Sequence, residues 1–485
     1  MSARRVVFGD WQTPDPLAQE VAALVARTGG VPPSSVIEPT CGTGAFLRAA
    51  RARFPDAVVR GYEINPEHAA VARASLRGAD AEVRVADFFT VDWQRELASL
   101  PAPTLVIGNP PWVTNAGIGS LGASNLPDKS NFKHLAGLDA LTGKSNFDVS
   151  EWMLVHLLEV LQGRDATIAV LCKTTVARRM IEYAARRHRA MTVRGIWRID
   201  AMAHFDAAVD ACAFVVEPRG RPARASVYAR LGAERPEHEI GMADGVLVAD
   251  LAAWERTRHL RGRCEPEWRS GMKHDCADVM ELSRHDGRWV NGSGEVVEIE
   301  REHCLPLLKS SDVARGNVSP RRAVVVPQRQ LGEDTARLKE TAPATWAYLN
   351  AHRDALAARK SSIYRTQPSF AIFGVGPYSF APWKVATSGL YKRLAFTLVG
   401  PVDGLPVMLD DTCYFLPFDN EDEARRALAV LSSPDVLAFF SAQVFWDAKR
   451  PIQKSLLQSL DLARMLRGQE VMRDAASRVQ LALFP

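Results

Sequence analysis

Over the first ~217 residues, short apolar runs alternate with stretches whose apolar positions recur at helical spacing. The runs are Val36-Ile37, Val58-Val59, Glu82 to Ala86, Leu105 to Ile107, Thr167 to Leu171, Gly195 to Ile199 and Ala211 to Val216. Between them lie amphipathic stretches, among them Ala45 to Arg53, Glu67 to Leu76 and Asp148 to Leu161. Short strands alternating with helices predict an α/β fold, a largely parallel sheet covered on both faces. Such sheets bind ligands at the carboxyl ends of their strands. From about 217 to 245 the chain is rich in Pro, Gly, Arg and Glu and reads as a linker or long surface loop. Beyond it, short strands, turns and helices follow without βα alternation, the pattern of an α+β domain. Two domains are therefore expected, 1–245 and 246–485.

Composition narrows the class. Of 485 residues, 47% are hydrophobic and 24% charged, an ordinary globular balance. No apolar run approaches the ~18 residues of a membrane span, and the N-terminus carries no secretory signal, so a cytoplasmic location is expected. Seven cysteines without paired spacing argue against a disulfide framework. Cys264, His274, Cys276 and His285 match no zinc spacing, so no metal is expected. A net charge of +4 suits local contact with a polyanion, not indiscriminate coating.

The candidate chemistry sits where the strands end. Val36-Ile37-Glu38-Pro39-Thr40-Cys41-Gly42-Thr43-Gly44 is a strand running into a glycine turn and then a helix. Glycines there let the backbone approach a ligand closely. The third glycine of a dinucleotide fingerprint is missing, since Leu47 stands in its place. The next strand ends at Glu63-Ile64, 19 positions beyond Gly44, where a carboxylate can accept both hydroxyls of a ribose. A third ends at Asp87-Phe88, offering an acceptor for an adenine amino group and a ring to pack on it. The fourth ends in Asn109-Pro110-Pro111-Trp112. Two acceptors, the Asn109 side chain and the Pro110 carbonyl, can each take one N–H of an exocyclic amine and aim its lone pair. Pro111 helps to fix the loop, and Trp112 offers a flat face for a base.

At this loop the chain resembles the amino-methyltransferases, and more narrowly the gamma-class, TaqI-like DNA adenine methylases of restriction–modification type. The resemblance covers residues 5 to 217. It includes Phe8-Gly9-Asp10-Trp11-Gln12-Thr13-Pro14, with Thr13 at the cofactor's methionine end, and Lys144-Ser145-Asn146-Phe147-Asp148 before a long helix. It also takes in His204 to Phe214, where Phe205 would form the second wall of a pocket for a flipped base. The resemblance implies a Rossmann-like class I methyltransferase sheet with S-adenosylmethionine as cofactor. Glu38, Pro39, Thr40, Gly42, Gly44, Glu63, Ile64, Asp87, Phe88 and Asn109 would line its site. A long segment from Asn115 to Gly143 departs from the pattern and reads as a mobile loop.

Adenine N6 is the expected target. Cytosine N4 enzymes usually carry Ser where Asn109 stands, and no Pro-Cys dipeptide of the cytosine C5 type occurs. Asn-Pro-Pro-aromatic enzymes that act on RNA or on protein glutamine are the alternative, but they typically lack so large a C-terminal half. That half holds Trp268-Arg269-Ser270-Gly271-Met272-Lys273-His274-Asp275, which resembles the loop opening TaqI-like specificity domains. Lys309-Ser310-Ser311-Asp312-Val313, Arg353 to Arg365, Trp383-Lys384-Val385 and Asp447-Ala448-Lys449-Arg450 follow. Bases interleaved with aromatics and hydroxyls suit double-stranded DNA. Arg178, Arg179, Arg186, Arg187, His188 and Arg189 form a second basic run that either touches phosphates or solvates a helix. The motifs begin near residue 5, so any restriction endonuclease is expected to be a separate protein. A monomer is expected.

Overall fold

The computed structural model describes residues 12–28, 30–76, 81–113, 148–221 and 224–468. The Asn115–Gly143 segment, Phe8 to Trp11 and Lys144 to Phe147 lie outside the described residues. The chain divides into two compact units, 1–252 and 253–485.

Unit 1 is built on a ten-stranded sheet. Its strands are β1 (Ser35–Glu38), β2 (Val58–Glu63), β3 (Ala81–Val85), β4 (Thr104–Gly108), β5 (Ala166–Lys173), β6 (Thr192–Ile199), β7 (Ala211–Glu217), β8 (Arg224–Tyr228), β9 (His238–Ala243) and β10 (Val246–Val248). They lie in the order β3-β2-β1-β4-β5-β7-β6-β8-β9-β10. From β3 to β5 every pairing is parallel, and β7 runs antiparallel to both β5 and β6. The strand order and the antiparallel β7 agree with the class I methyltransferase sheet that the resemblance implies. β1 and β4 are buried along their whole length, as a parallel sheet covered on both faces requires. After β1 the chain crosses to β2 on one side, and it later returns to β4 on the other. The strand order therefore reverses between β1 and β4, which opens a crevice at their carboxyl ends.

Helices α1 (Asp15–Thr28), α2 (Ala45–Arg53), α3 (Pro66–Ser75), α4 (Trp93–Ala98), α5 (Val149–Val160), α6 (Thr174–Arg186) and α7 (Ala201–Phe205) accompany this sheet. Leu17, Val21 and Leu24 of α1 join Phe46, Leu47 and Ala50 of α2 in a core with Val36, Val59 and Leu105 from the strands.

Residues 217–245 are not a linker, which corrects the expectation. They include β8 and β9, which extend the sheet beyond β6. Their inward side chains, Ala225, Val227 and Ile240, are buried, and Tyr228 stacks on Trp197 with ring centroids 4.6 Å apart. The Arg, Glu and Pro between them belong to the outer face and turns, and these dominate the composition.

Unit 2 holds two small sheets. One runs β11 (Arg269–Ser270), β19 (Cys413–Phe418), β16 (Trp383–Ser388), β17 (Thr397–Val399), antiparallel throughout. The other has the order β13 (Arg288–Val290), β12 (Glu281–His285), β15 (Arg322–Val325), β14 (Cys304–Leu308), β18 (Met408–Leu409), parallel only at its last pair. The unit is α+β. No helix among the described residues is long and apolar enough to cross a membrane.

Candidate active site

The glycine turn after β1 is shaped by positive backbone angles. Gly42 has φ 50° and Gly44 φ 86°, conformations that disfavour any Cβ. A Cβ on Gly42 would also come within 2.5 Å of Gln12 Oε1. Gln12 Oε1 accepts from the Thr43 amide and hydroxyl, both at 3.0 Å, and so ties the N-terminal segment to the turn. Sequence reasoning named its neighbour Thr13 and missed Gln12.

Glu63 closes the turn from the next strand. Its two carboxylate oxygens accept from the Gly42 and Asn65 amides, each at 2.8 Å. These bonds fix the carboxylate while leaving each oxygen capacity for a ribose hydroxyl. Beside it, Ile64 is 45% exposed and presents apolar surface at the strand end.

Glu38, at the end of β1, is 2% exposed, and its Oε2 has no hydrogen-bond partner among the described residues. Burial, and then the nearby Glu63 carboxylate, push its acid strength well toward the protonated form. A Cβ on Gly108 would stand 3.2 Å from Glu38 Cγ, so the glycine before Asn109 makes room for this side chain.

Asp87 accepts from the Phe89 amide at 3.0 Å. Phe88 turns inward, its ring 4.9 Å from Trp93 and within an aromatic cluster that includes Trp152 and His156. It is 4% exposed. Pro39 is buried and Thr40 half-buried at the start of the glycine turn.

The fourth strand end brings Asn109 to Thr13, whose Oγ1 accepts from Asn109 Nδ2 at 3.3 Å. Pro110 is buried and Pro111 half-buried. Trp112 is 7% exposed, donates its indole N–H to the Leu171 carbonyl at 3.3 Å, and meets Phe205 edge to face. The centroids of these two rings are 5.2 Å apart at 74°. The structure therefore brings together the two residues expected as walls, but as a corner and not as parallel plates.

A residue that sequence reasoning passed over anchors this loop. Lys173, the last residue of β5, donates from Nζ to the Trp112 carbonyl at 3.1 Å and to Asp148 Oδ2 at 2.7 Å. The register explains the reach: Gly108 pairs with Val170, so three residues further Lys173 stands level with Pro111. Asp148 is buried and caps α5 through the Ser150 amide and hydroxyl, while the Val149 amide donates to the Val113 carbonyl at 2.9 Å. The loop is thus fastened to a strand and to a helix N-terminus. The one available signal was a lysine closing the apolar strand next to that of Asn109.

The basic groups divide. Arg179 pairs with buried Glu151 and Arg189 with Glu159, both at 2.7 Å, so two of the six basic residues of the second run are neutralised by α5. Lys384 does not face solvent, which corrects its place among the DNA-contact candidates. It is 1% exposed, lowered to about 7 by burial, and donates to the Ala381 carbonyl. Lys309 pairs with Glu281, which His274 also contacts.

The turn and its flanking acids fit a zwitterionic nucleoside. A fixed carboxylate suits the ribose, apolar Ile64 borders it, and the orphaned Glu38 oxygen awaits a donor such as an ammonium. No protein-family model matches the sequence. The chain is 41% identical over 466 residues to the type II methyltransferase M.NspV of Nostoc sp., covering 94% of this chain and 97% of that protein. It is 37% identical over 86 residues to the type II methyltransferase M.CvrRI of Paramecium bursaria Chlorella virus XZ-6E, covering 18% of this chain and 20% of that one. Among solved structures, the type IIL restriction-modification enzyme MmeI, determined in complex with DNA, shares the fold with a TM-score of 0.55 at 11% identity. That match covers 92% of this chain and 64% of MmeI. Identity at the level of M.NspV, across nearly the whole of both sequences, shows the family: the chain belongs to the type II methyltransferases, the DNA-modifying enzymes of restriction–modification systems, with S-adenosylmethionine as methyl donor.

Proposed function

We propose that the chain methylates the exocyclic N6 amine of adenine within a short specific DNA sequence, acting on a base swung out of the duplex. The observation that carries this reading is the position of Asn109-Pro110-Pro111-Trp112, at the end of β4 and beside the crevice where strand order reverses. S-adenosylmethionine, when bound, supplies an electrophilic methyl group on a sulfonium centre; Glu63, Gly42, Glu38 and Thr13 are the residues that would hold it.

The amine is a poor nucleophile because its lone pair is delocalised into the ring. Asn109 Oδ1 and the Pro110 carbonyl accept one N–H each, which draws the nitrogen toward a tetrahedral geometry and directs its lone pair. The bond from Asn109 Nδ2 to Thr13 supports this role, because it sets the opposite end of the amide as the acceptor. The corner of Trp112 and Phe205 takes the base with its face on one ring and its edge toward the other. Unit 1 is the catalytic domain and unit 2 the target-recognition domain. The protein works as a cytoplasmic monomer.

The test is Asn109→Ala, assayed for transfer of a labelled methyl group to DNA and, separately, for cofactor affinity by equilibrium dialysis. Loss of transfer with cofactor affinity within about two-fold of the parent supports the assignment. Retained transfer, or loss of both together, overturns it.

A further inference from the structure

Two exposed turns of unit 2 share one root, and neither has its charge neutralised. After β16, Gly389-Leu390-Tyr391-Lys392-Arg393 folds back over Ser388, whose Oγ accepts from the Leu390 and Tyr391 amides at 3.3 and 3.4 Å. Ser388 is buried and its hydroxyl lies 2.5 Å from that of buried Ser310, so the turn stands on a fixed base. The Gly389 amide donates to the Thr412 carbonyl at 2.8 Å. A Cβ on Gly389 would lie 3.3 Å from the Ile452 carbonyl. That closeness brings the buried end of the second turn, Lys449-Arg450-Pro451-Ile452, against the start of the first.

The exposed side chains of these turns are of two kinds. Lys392, Arg393, Lys449 and Arg450 are exposed, and none is in an ion pair among the described residues. Exposed Arg179 and Arg189 have acid partners whereas exposed Arg315, Arg321, Lys360 and Arg365 have none among the described residues, so what sets these four cations apart is the common base of their two turns. Leu390 and Tyr391, 37% and 38% exposed, stand at the head of the same turn.

We infer that these two turns form a DNA-docking surface: the four cations contact backbone phosphates, and Leu390 and Tyr391 enter the adjoining groove. The inference rests on unit 2 being the target-recognition domain, and it assigns that role a place in the fold. Charge complementarity selects the partner, because a cluster of unneutralised lysines and arginines on a preorganised backbone suits a linear array of phosphates. Apolar side chains among the cations suit a groove edge better than solvent.

The experiment is fluorescence anisotropy of the full chain on a 30-bp duplex across a salt series, with wild type against Lys392→Gln/Arg393→Gln/Lys449→Gln/Arg450→Gln. Each phosphate contact contributes ~0.9 to the slope of log K against log salt, so losing four lowers the slope by ~3.6. At ~0.15 M salt this weakens binding by up to ~10³-fold. The pair Lys449→Gln/Arg450→Gln alone should show about half the slope change, which keeps the test open if the quadruple variant folds poorly. A steep wild-type slope unchanged in both variants overturns the surface while leaving DNA recognition by unit 2 standing. A flat wild-type slope removes the proposed function itself, and the surface with it.

Discussion

Lys173→Met is the sharpest probe of how the active site is held. The substitution keeps the length of the side chain and removes the ammonium that joins the Trp112 carbonyl to Asp148. The Lys173 side chain is 20% exposed and that of Asp148 6%, so the pair is largely removed from water. Breaking a buried pair from one side costs ~3–5 kcal/mol, because the remaining charge is left uncompensated. Here Asp148 keeps two donors, the Ser150 amide at 3.1 Å and hydroxyl at 2.6 Å, which places the expected loss near the lower end, ~3 kcal/mol. The Trp112 carbonyl also loses its donor, so the loop that carries Asn109 relaxes. A displacement of ~1 Å at the reacting centre lowers the rate by ~10²-fold. Cofactor affinity should stay within about two-fold, since among the described residues the Lys173 ammonium bonds to the Trp112 carbonyl and Asp148 and not to Glu63, Gly42 or Glu38. The assay is single-turnover methyl transfer, with urea denaturation and equilibrium dialysis in parallel. Adding Asp148→Asn should recover part of the lost stability, because it removes the stranded charge. A Lys173→Met enzyme with wild-type single-turnover rate would refute the anchoring role, and so would a double variant as unstable as the sum of the singles.

Other outcomes follow from the same geometry. Gly61→Ala places a Cβ 2.5 Å from Leu47 Cδ1 and 3.0 Å from Cys41 Sγ. Overpacking there should destabilise by ~1–3 kcal/mol and, because Cys41 lies in the glycine turn, weaken cofactor binding; an unchanged denaturation midpoint would contradict it. Glu281→Gln tests the Lys309–His274 cluster. Burial pushes this carboxyl up, but hydrogen bonds from His274 and Lys309 prevail and hold it at about 2, against an ordinary 4.5. A depressed carboxyl stabilises the fold above its ordinary value and loses that contribution as pH falls toward 2. The wild type should therefore exceed the variant by ~3 kcal/mol at neutral pH, with the gap closing between about 4.5 and 2. A gap independent of pH would mean that packing, not charge, is what Glu281 contributes.

The strands of unit 1 were legible because each apolar run stops at a polar residue whose chemistry differs from the run: Glu38, Glu63, Asp87, Asn109. The period of 2 in β8 and β9 was not, because Ala225, Val227 and Ile240 are too few to stand out among arginines, glutamates and prolines. Lys173 was passed over for a different reason. Its partners lie 61 and 25 positions away, and only the pairing of β4 with β5 brings them together. Trp112 and Phe205 could be nominated as a pair from sequence, but the 74° between their rings depends on the path of α7. The basic run on α6 likewise could not reveal that Glu151 and Glu159 of α5 would meet it.

The central claim is methylation of adenine N6 in a specific sequence, and it is met most directly by sequencing native DNA. The chain would be expressed in a bacterial host lacking adenine methylation, and the host genome read by a modification-sensitive long-read method. The account predicts N6-methyladenine confined to one short motif, and none in a host expressing Asn109→Ala. An unmodified genome from soluble protein that binds S-adenosylmethionine, or methyl groups on cytosine, would contradict it.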